Sequence, residues 1–172
     1  MASKNVHVSN NSGNNEWYTP EKFVMAARET MSTIDLDPAS SEIANKTVMA
    51  TKYYTKETNG LDKDWDGNIW MNPPYASKLI KQFVSKLREE VEYKKVKSFV
   101  VLVNNATETK WFNELVSISS AVVFTEKRVR FLDPEGNPGA PLQGQAILYF
   151  GDNEDGFISN FSTFGWGAKI AR

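Results

Sequence analysis

Apolar positions along this chain keep two different spacings. Between residues 77 and 92, Leu79, Ile80, Phe83, Val84, Leu87 and Val91 recur at helical spacing with Lys and Glu between them. That pattern predicts an amphipathic helix over Ser77–Glu92. Phe23, Ala27 and Met31 recur every four residues and predict an earlier helix. Thr19 suits its N-cap and Pro20 its first helical position. A third helix is predicted over 109–118, burying Trp111, Phe112, Leu115 and Val116. The run at 98–103 is continuously apolar after Ser98, as expected for a strand covered on both faces. Shorter apolar runs predict strands at 33–37, 68–71, 121–124 and Gln145–Phe150, with 128–132 extending the strand at 121–124. Asp37-Pro38-Ala39-Ser40 reads as a turn into a short helical piece at 41–46, and Asn59-Gly60-Leu61 as a second turn. Residues 47–66 otherwise carry no decisive period.

Strand and helix alternate from residue 20 to 124, which predicts an α/β sandwich with a mostly parallel sheet. The last two predicted strands are separated only by a Pro/Gly loop at 133–143, so they are expected to pair antiparallel. Residues 1–15 are polar and rich in Asn and Ser, and read as a flexible N-terminal arm. One domain is expected over 16–151. Residues 152–172 read as a C-terminal tail, with aromatics at Phe157, Phe161, Phe164 and Trp166 but no clear period.

Composition narrows the chemistry. The net charge of -1 gives no global positive field, so nucleic-acid binding would need a local basic surface. The absence of cysteine excludes disulfides, thiolate nucleophiles and Cys-based zinc sites. The single histidine, His7, lies in the polar arm with no second imidazole to share a metal, so no metal site and no histidine-dependent hydrolysis are expected. No apolar run approaches the ~20 residues of a membrane span. No signal-peptide core is present, so a cytoplasmic location is expected.

In an open parallel sheet, ligands sit at the carboxyl ends of strands near the topological switch. Three polar motifs fall at such ends: Asp35-Leu36-Asp37-Pro38, Asn72-Pro73-Pro74-Tyr75 and Asn104-Asn105. The second suits amine methylation. An aromatic amine is a weak nucleophile because its lone pair is delocalised into the ring. Two acceptors that bind its two N–H groups favour a pyramidal nitrogen. The Asn72 side-chain oxygen and the Pro73 carbonyl can serve, and proline brings no competing N–H. Pro74 fixes the backbone. Tyr75 offers a face on which a base can stack, an interaction worth ~1–3 kcal/mol. The bland alternative is a tight turn between a strand and a helix. An apolar strand before the motif and an amphipathic helix after it favour the chemical reading.

Asp35 and Asp37 can hold a cofactor's amino acid or ribose, or Asp37-Pro38 can simply end the strand. The Pro38-Ala39-Ser40-Ser41 stretch lacks the glycine-rich phosphate cradle of dinucleotide sites. S-adenosylmethionine has no phosphate and is compatible with that absence. Lys127, Arg128 and Arg130 flank Val129 and Phe131, and could contact phosphates or form a solvated strand face.

On these motifs the chain resembles the phage-type DNA N6-adenine methyltransferases of the Dam group over about residues 16–150. Asn72-Pro73-Pro74-Tyr75 looks like the catalytic motif of amino-methyltransferases. Glu16-Trp17-Tyr18-Thr19-Pro20 looks like the N-terminal cofactor motif, and Asp35-Leu36-Asp37-Pro38-Ala39-Ser40 is similar to the first-strand motif. Gly60-Leu61 with Trp65, Thr107 to Phe112, Arg128 to Phe131 and Ala140-Pro141 also match. The resemblance implies a Rossmann-like methyltransferase sandwich that uses S-adenosylmethionine and acts on DNA. By the same analogy Thr19, Pro20, Asp35 and Asp37 lie toward the cofactor's methionine end, and Trp17 and Pro38 also contribute to cofactor binding. Asn59 and Leu61 lie toward its adenine. With no separate recognition domain, specificity falls to short loops, chiefly 125–143. Methylation of cytosine N4, RNA adenine or protein glutamine, and a decayed fold that only binds DNA, are the competing readings.

Overall fold

The computed structural model describes residues 17–171. The arm expected at 1–15, His7 and Glu16 lie outside the described residues. The chain runs α1 Glu21–Met31, β1 Leu36–Asp37, α2 Glu42–Val48, β2 Lys52–Tyr53 and a 3-10 turn at Gly60–Asp62. It continues with β3 Gly67–Met71, α3 Ser77–Glu92, β4 Val96–Asn104, α4 Lys110–Ile118, β5 Ala121–Thr125, β6 Gln145–Phe150, α5 Glu154–Phe161 and β7 Gly165–Lys169.

Among the described residues seven strands form one sheet in the order β2-β1-β3-β4-β6-β5-β7. The first four are parallel, with Leu36 level with Lys52 on one side and Ile69 on the other. β6 inserts antiparallel between β4 and β5, and β7 runs antiparallel on the far side of β5. This is the expected Rossmann-like α/β sandwich. The chain leaves β1 toward β2 on one side and returns to β3 on the other. The crevice beyond the carboxyl ends of β1 and β3 is therefore the switch point.

The unbroken apolar run in β4 has its reason in the two layers. Phe99, Val101 and Val103 join a core with Phe83, Val84 and Leu87 of α3 and Phe112 and Leu115 of α4. Val100 and Leu102 join the opposite core, with Phe23 and Ala27 of α1 and Phe157 and Phe161 of α5. Successive strand residues point to opposite faces, so a central strand between two helical layers is apolar at every position.

α3 spans the predicted residues, and α4 begins one residue later than predicted because Thr109 caps it, its hydroxyl accepting from the Phe112 N–H. Three expectations are corrected. Thr19 does not cap α1: Pro20 is the cap residue and no side chain caps this end. Residues 128–132 do not extend β5, because the chain leaves the sheet after Thr125. Leu132 pairs instead with Tyr18 through two 2.8 Å backbone bonds. Residues 154–169 are not an aperiodic tail. α5 covers α1 and the sheet, and β7 extends the sheet beyond β5. Short elements hid this region: an eight-residue helix and a Gly-Trp-Gly-Ala-Lys strand carry too few repeats for a period to emerge.

Candidate active site

β3 ends at Met71 and its next residues stand over the crevice. The Tyr75 hydroxyl donates to Asn72 Oδ1 at 2.9 Å, and Asn72 Nδ2 donates to Thr19 Oγ1 at 3.1 Å. Thr19 is buried, and this bond explains why its hydroxyl is not spent on capping. Residues 53 positions apart in sequence thus hold the Asn72 amide in a single orientation. Pro73 is buried, whereas Pro74 is exposed. Tyr75 is 37% exposed, and its hydroxyl also reaches the Leu102 carbonyl at 3.4 Å. Burial of that hydroxyl raises its pKa well above the ordinary tyrosine value. The Phe131 ring meets the Tyr75 ring edge-on, at 6.4 Å between centroids and 69° between planes.

Asp37 ends β1 beside this motif. It is 3% exposed, and no ion pair among the described residues reaches it. Burial pushes its carboxyl up to about 7, only partly offset by the Ala39 N–H, which donates to Asp37 Oδ1 at 3.2 Å. Pro38, the next residue, is buried under the Gly60–Asp62 turn. A Cβ on Gly60 would lie 2.1 Å from the Pro38 carbonyl oxygen, so only glycine allows this approach. Buried Trp65 locks the turn by donating its indole N–H to the Gly60 carbonyl at 2.8 Å. Asn59 caps the turn: its side chain accepts from Leu61 N–H and donates to Asp62 Oδ2. Leu61 packs on the core beneath. Asp37, Pro38, Asn59 and Leu61 therefore converge on one side of the crevice.

The family model for DNA N-6-adenine-methyltransferase (Dam) matches residues 7–150. The chain belongs to this family. It is an S-adenosylmethionine-dependent enzyme that methylates adenine N6 in DNA. No curated protein matches it. Among the described residues no group of side chains could hold a metal ion, and no helix is long and apolar enough to cross a membrane.

The crevice of this Dam-family chain fits its cofactor. A buried carboxylate without a protein cation suits a ligand rich in hydroxyl and ammonium donors, and S-adenosylmethionine carries both. Two expected cofactor residues are engaged elsewhere. Asp35 Oδ2 accepts from the Asn68 N–H at 2.8 Å and lies against Gly67, which braces the start of β3. The Trp17 ring lies against Gly139, where a Cβ would come within 2.3 Å of it. Trp17 thereby ties the N-terminal motif to the 133–143 loop. Pro20 is half-buried at the start of α1.

Lys127, Arg128 and Arg130 are exposed around buried Val129, on the segment that carries Phe131 to Tyr75. Arg128 also lines a cavity of about 350 Å³ with Asn104, Asn105, Glu108 and Gln143 at the carboxyl end of β4. Sequence reasoning did not assign Phe131 a place in the site. The alternation of cations with Val129 and Phe131 was its only local signal. Gln145 was read only as the first residue of a strand, although it is the one polar residue in Gln145–Phe150.

Proposed function

We propose that Asn72, Pro73, Pro74 and Tyr75 methylate adenine N6 in DNA within the crevice between β1 and β3. The bond chain Thr19–Asn72–Tyr75 carries this reading. It holds one amide oxygen toward the crevice at the strand end where the family's chemistry is expected. S-adenosylmethionine supplies a methyl group activated on a sulfonium. Asp37, Pro38, Asn59 and Leu61 would hold that cofactor, with Thr19 and Pro20 closing its other side. Asp35 and Trp17 support the same site at one remove, as strut and brace.

Adenine leaves the duplex at a cost of a few kcal/mol. Asn72 Oδ1 and the Pro73 carbonyl accept its two N–H groups and make the nitrogen lone pair available. Tyr75 and Phe131 give the base apolar faces to stack on. Pro74 has no N–H and keeps the loop from donating into the site. Rate enhancement comes mainly from this positioning, and the amine proton leaves after nitrogen becomes cationic. Lys127, Arg128 and Arg130 lie where phosphates flanking the base would pass, and the 125–143 loop is the source of any sequence preference. The working unit is one domain extending through β7. A cytoplasmic location fits a DNA-modifying enzyme, within a bacterial host cell if the gene is phage- or prophage-borne.

The test is Asn72→Ala assayed with labelled cofactor on unmethylated bacterial genomic DNA. Methylation should fall by about 10²–10³-fold, as when a positioned polar group is lost from an active site. Cofactor binding should persist. Wild-type-like methylation by the variant sinks the assignment.

A further inference from the structure

At the carboxyl end of β4 lies the cavity of about 350 Å³ that Arg128 lines. Its volume is at the small end of the range for ligand pockets, about 300–1,000 Å³. Asn72, Tyr75 and Phe131 do not line it, so it is separate from the place assigned to the target adenine. It is also adjacent to that place. The Tyr75 hydroxyl reaches the Leu102 carbonyl, and Asn104 lies two residues farther along the same strand, roughly 7 Å away. Arg128 lies three residues before Phe131, on the segment that meets Tyr75. A base pair next to the target adenine is within that reach, since stacked pairs are about 3.4 Å apart.

Arg128 and Glu108 both line the cavity and are exposed. Neither makes an ion pair or a side-chain hydrogen bond among the described residues. Of the three cations around Val129, only Arg128 lines it. Asn104 is fixed by a buried neighbour: Gln145, 3% exposed, donates from Nε2 to Asn104 Oδ1 at 2.5 Å. That bond leaves Asn104 Nδ2 as the amide's free end, a donor with no acceptor among the described residues. The Asn105 N–H donates to the Gly144 carbonyl at 3.0 Å and ties two sides of the cavity together. A cation, a fixed amide donor and a carboxylate thus line one space. A phosphate fits this set poorly, because Glu108 repels it. The major-groove edge of a G·C pair fits it well: guanine O6 and N7 are adjacent acceptors, and the cytosine N4 amino group beside them is a donor. An A·T pair puts the adenine amino group between its two acceptors, which breaks the match to the two-pronged guanidinium.

We infer that this cavity reads a G·C pair beside the target adenine from the major groove. Arg128 donates to guanine O6 and N7, Asn104 Nδ2 supplements it as a donor, and Glu108 accepts from cytosine N4. The inference rests on the function proposed above and extends it to sequence choice. Asn104 and Glu108 add to the 125–143 loop as sources of preference, while Lys127 and Arg130 stay with the phosphates.

Base-resolution mapping of methylated adenines tests this, on unmethylated bacterial genomic DNA treated with wild type, Arg128→Ala or Glu108→Ala. Wild type should favour adenines with a G·C pair at one fixed neighbouring position by at least about fivefold, the lower end of what one bidentate base contact discriminates. Arg128→Ala and Glu108→Ala should each lower that ratio by about fivefold or more. Arg128→Gln should shift the preference at the same position toward A·T, because a glutamine amide matches adenine N6 and N7. Should thermal melting reveal that an alanine variant does not fold, Arg128→Gln carries the test. A wild type with no fixed neighbour, or with a neighbour other than G·C, overturns the inference. So does a ratio left unchanged in a folded variant while methylation falls in parallel at every site, the sign of a phosphate contact. Variants that match wild type in both ratio and rate overturn it too. Wild-type protein that leaves the DNA unmethylated overturns the proposed function and this inference together. An active wild type without the G·C preference removes only the role of the cavity.

Discussion

Asp37 is the residue whose charge is held least comfortably. Its carboxyl titrates near 7 against an ordinary 3.8, because burial disfavours the ionised form. The folded state binds the proton more tightly than the unfolded chain does. Stability from this group is therefore complete below pH 3.8 and is lost as pH rises to about 7. The ionised carboxyl at pH 8 costs roughly 4 kcal/mol. Asp37→Asn should flatten that dependence and raise the thermal midpoint at pH 8 in protein without added cofactor. The same substitution should weaken S-adenosylmethionine binding, and in the wild type affinity should increase as pH rises through 7. Calorimetry at pH 6 and 8 reads both effects. Thr19→Val makes a smaller point. Losing the hydroxyl leaves Asn72 Nδ2 without its acceptor, so stability should fall by about 1 kcal/mol and kcat by a few-fold. The position of Asp37 and Asn72 at the ends of β1 and β3 was legible from the ends of apolar runs. The partnership of Thr19 with Asn72 was not, because Thr-Pro before an apolar helix also reads as a cap.

Among elements, the Gly60–Asp62 turn illustrates how a loop becomes part of a site. Asn59-Gly60-Leu61 reads as a turn in sequence, and it is one. Its importance comes from its neighbour, since Gly60 lies on the Pro38 carbonyl. Gly60→Ala should push the turn off β1's end, costing about 1–3 kcal/mol as overpacking does. Cofactor affinity should drop by about tenfold or more, a loss of ~1.4 kcal/mol in binding. Titration with S-adenosylmethionine and thermal melting separate the two losses. The segment after β5 illustrates the opposite case. Its apolar alternation at Val129 and Phe131 suggested a strand, yet those residues face a core and an aromatic partner away from the sheet ladder. α3 and β4 were legible because sixteen residues of helical period and an unbroken run of five apolar residues within a nine-residue strand leave little choice.

At the scale of the molecule, the fold extends beyond the family match, which ends at residue 150. Phe157 and Phe161 are fully buried, and α5 lies against α1, whose N-terminal end begins beside Thr19. Phe161→Ala should cost about 3–5 kcal/mol. A chain cut after Gly151 should show no cooperative thermal transition, because α1 and β5 would both lose a covering element. Cooperative melting of that fragment would assign residues 152–171 to the periphery. The sequence alone determined the alternating α/β order, the two-sided burial of β4, and the Asn-Pro-Pro-Tyr motif at the end of β3. These are local properties, set by side-chain period and by the chemistry of four adjacent residues. Tertiary structure alone decided which distant groups meet: Thr19 with Asn72, Pro38 with Gly60, Phe131 with Tyr75. Each of these contacts joins separate segments across a strand end. Contacts of that kind depend on strand order and register, and one sequence read residue by residue carries no direct signal of either.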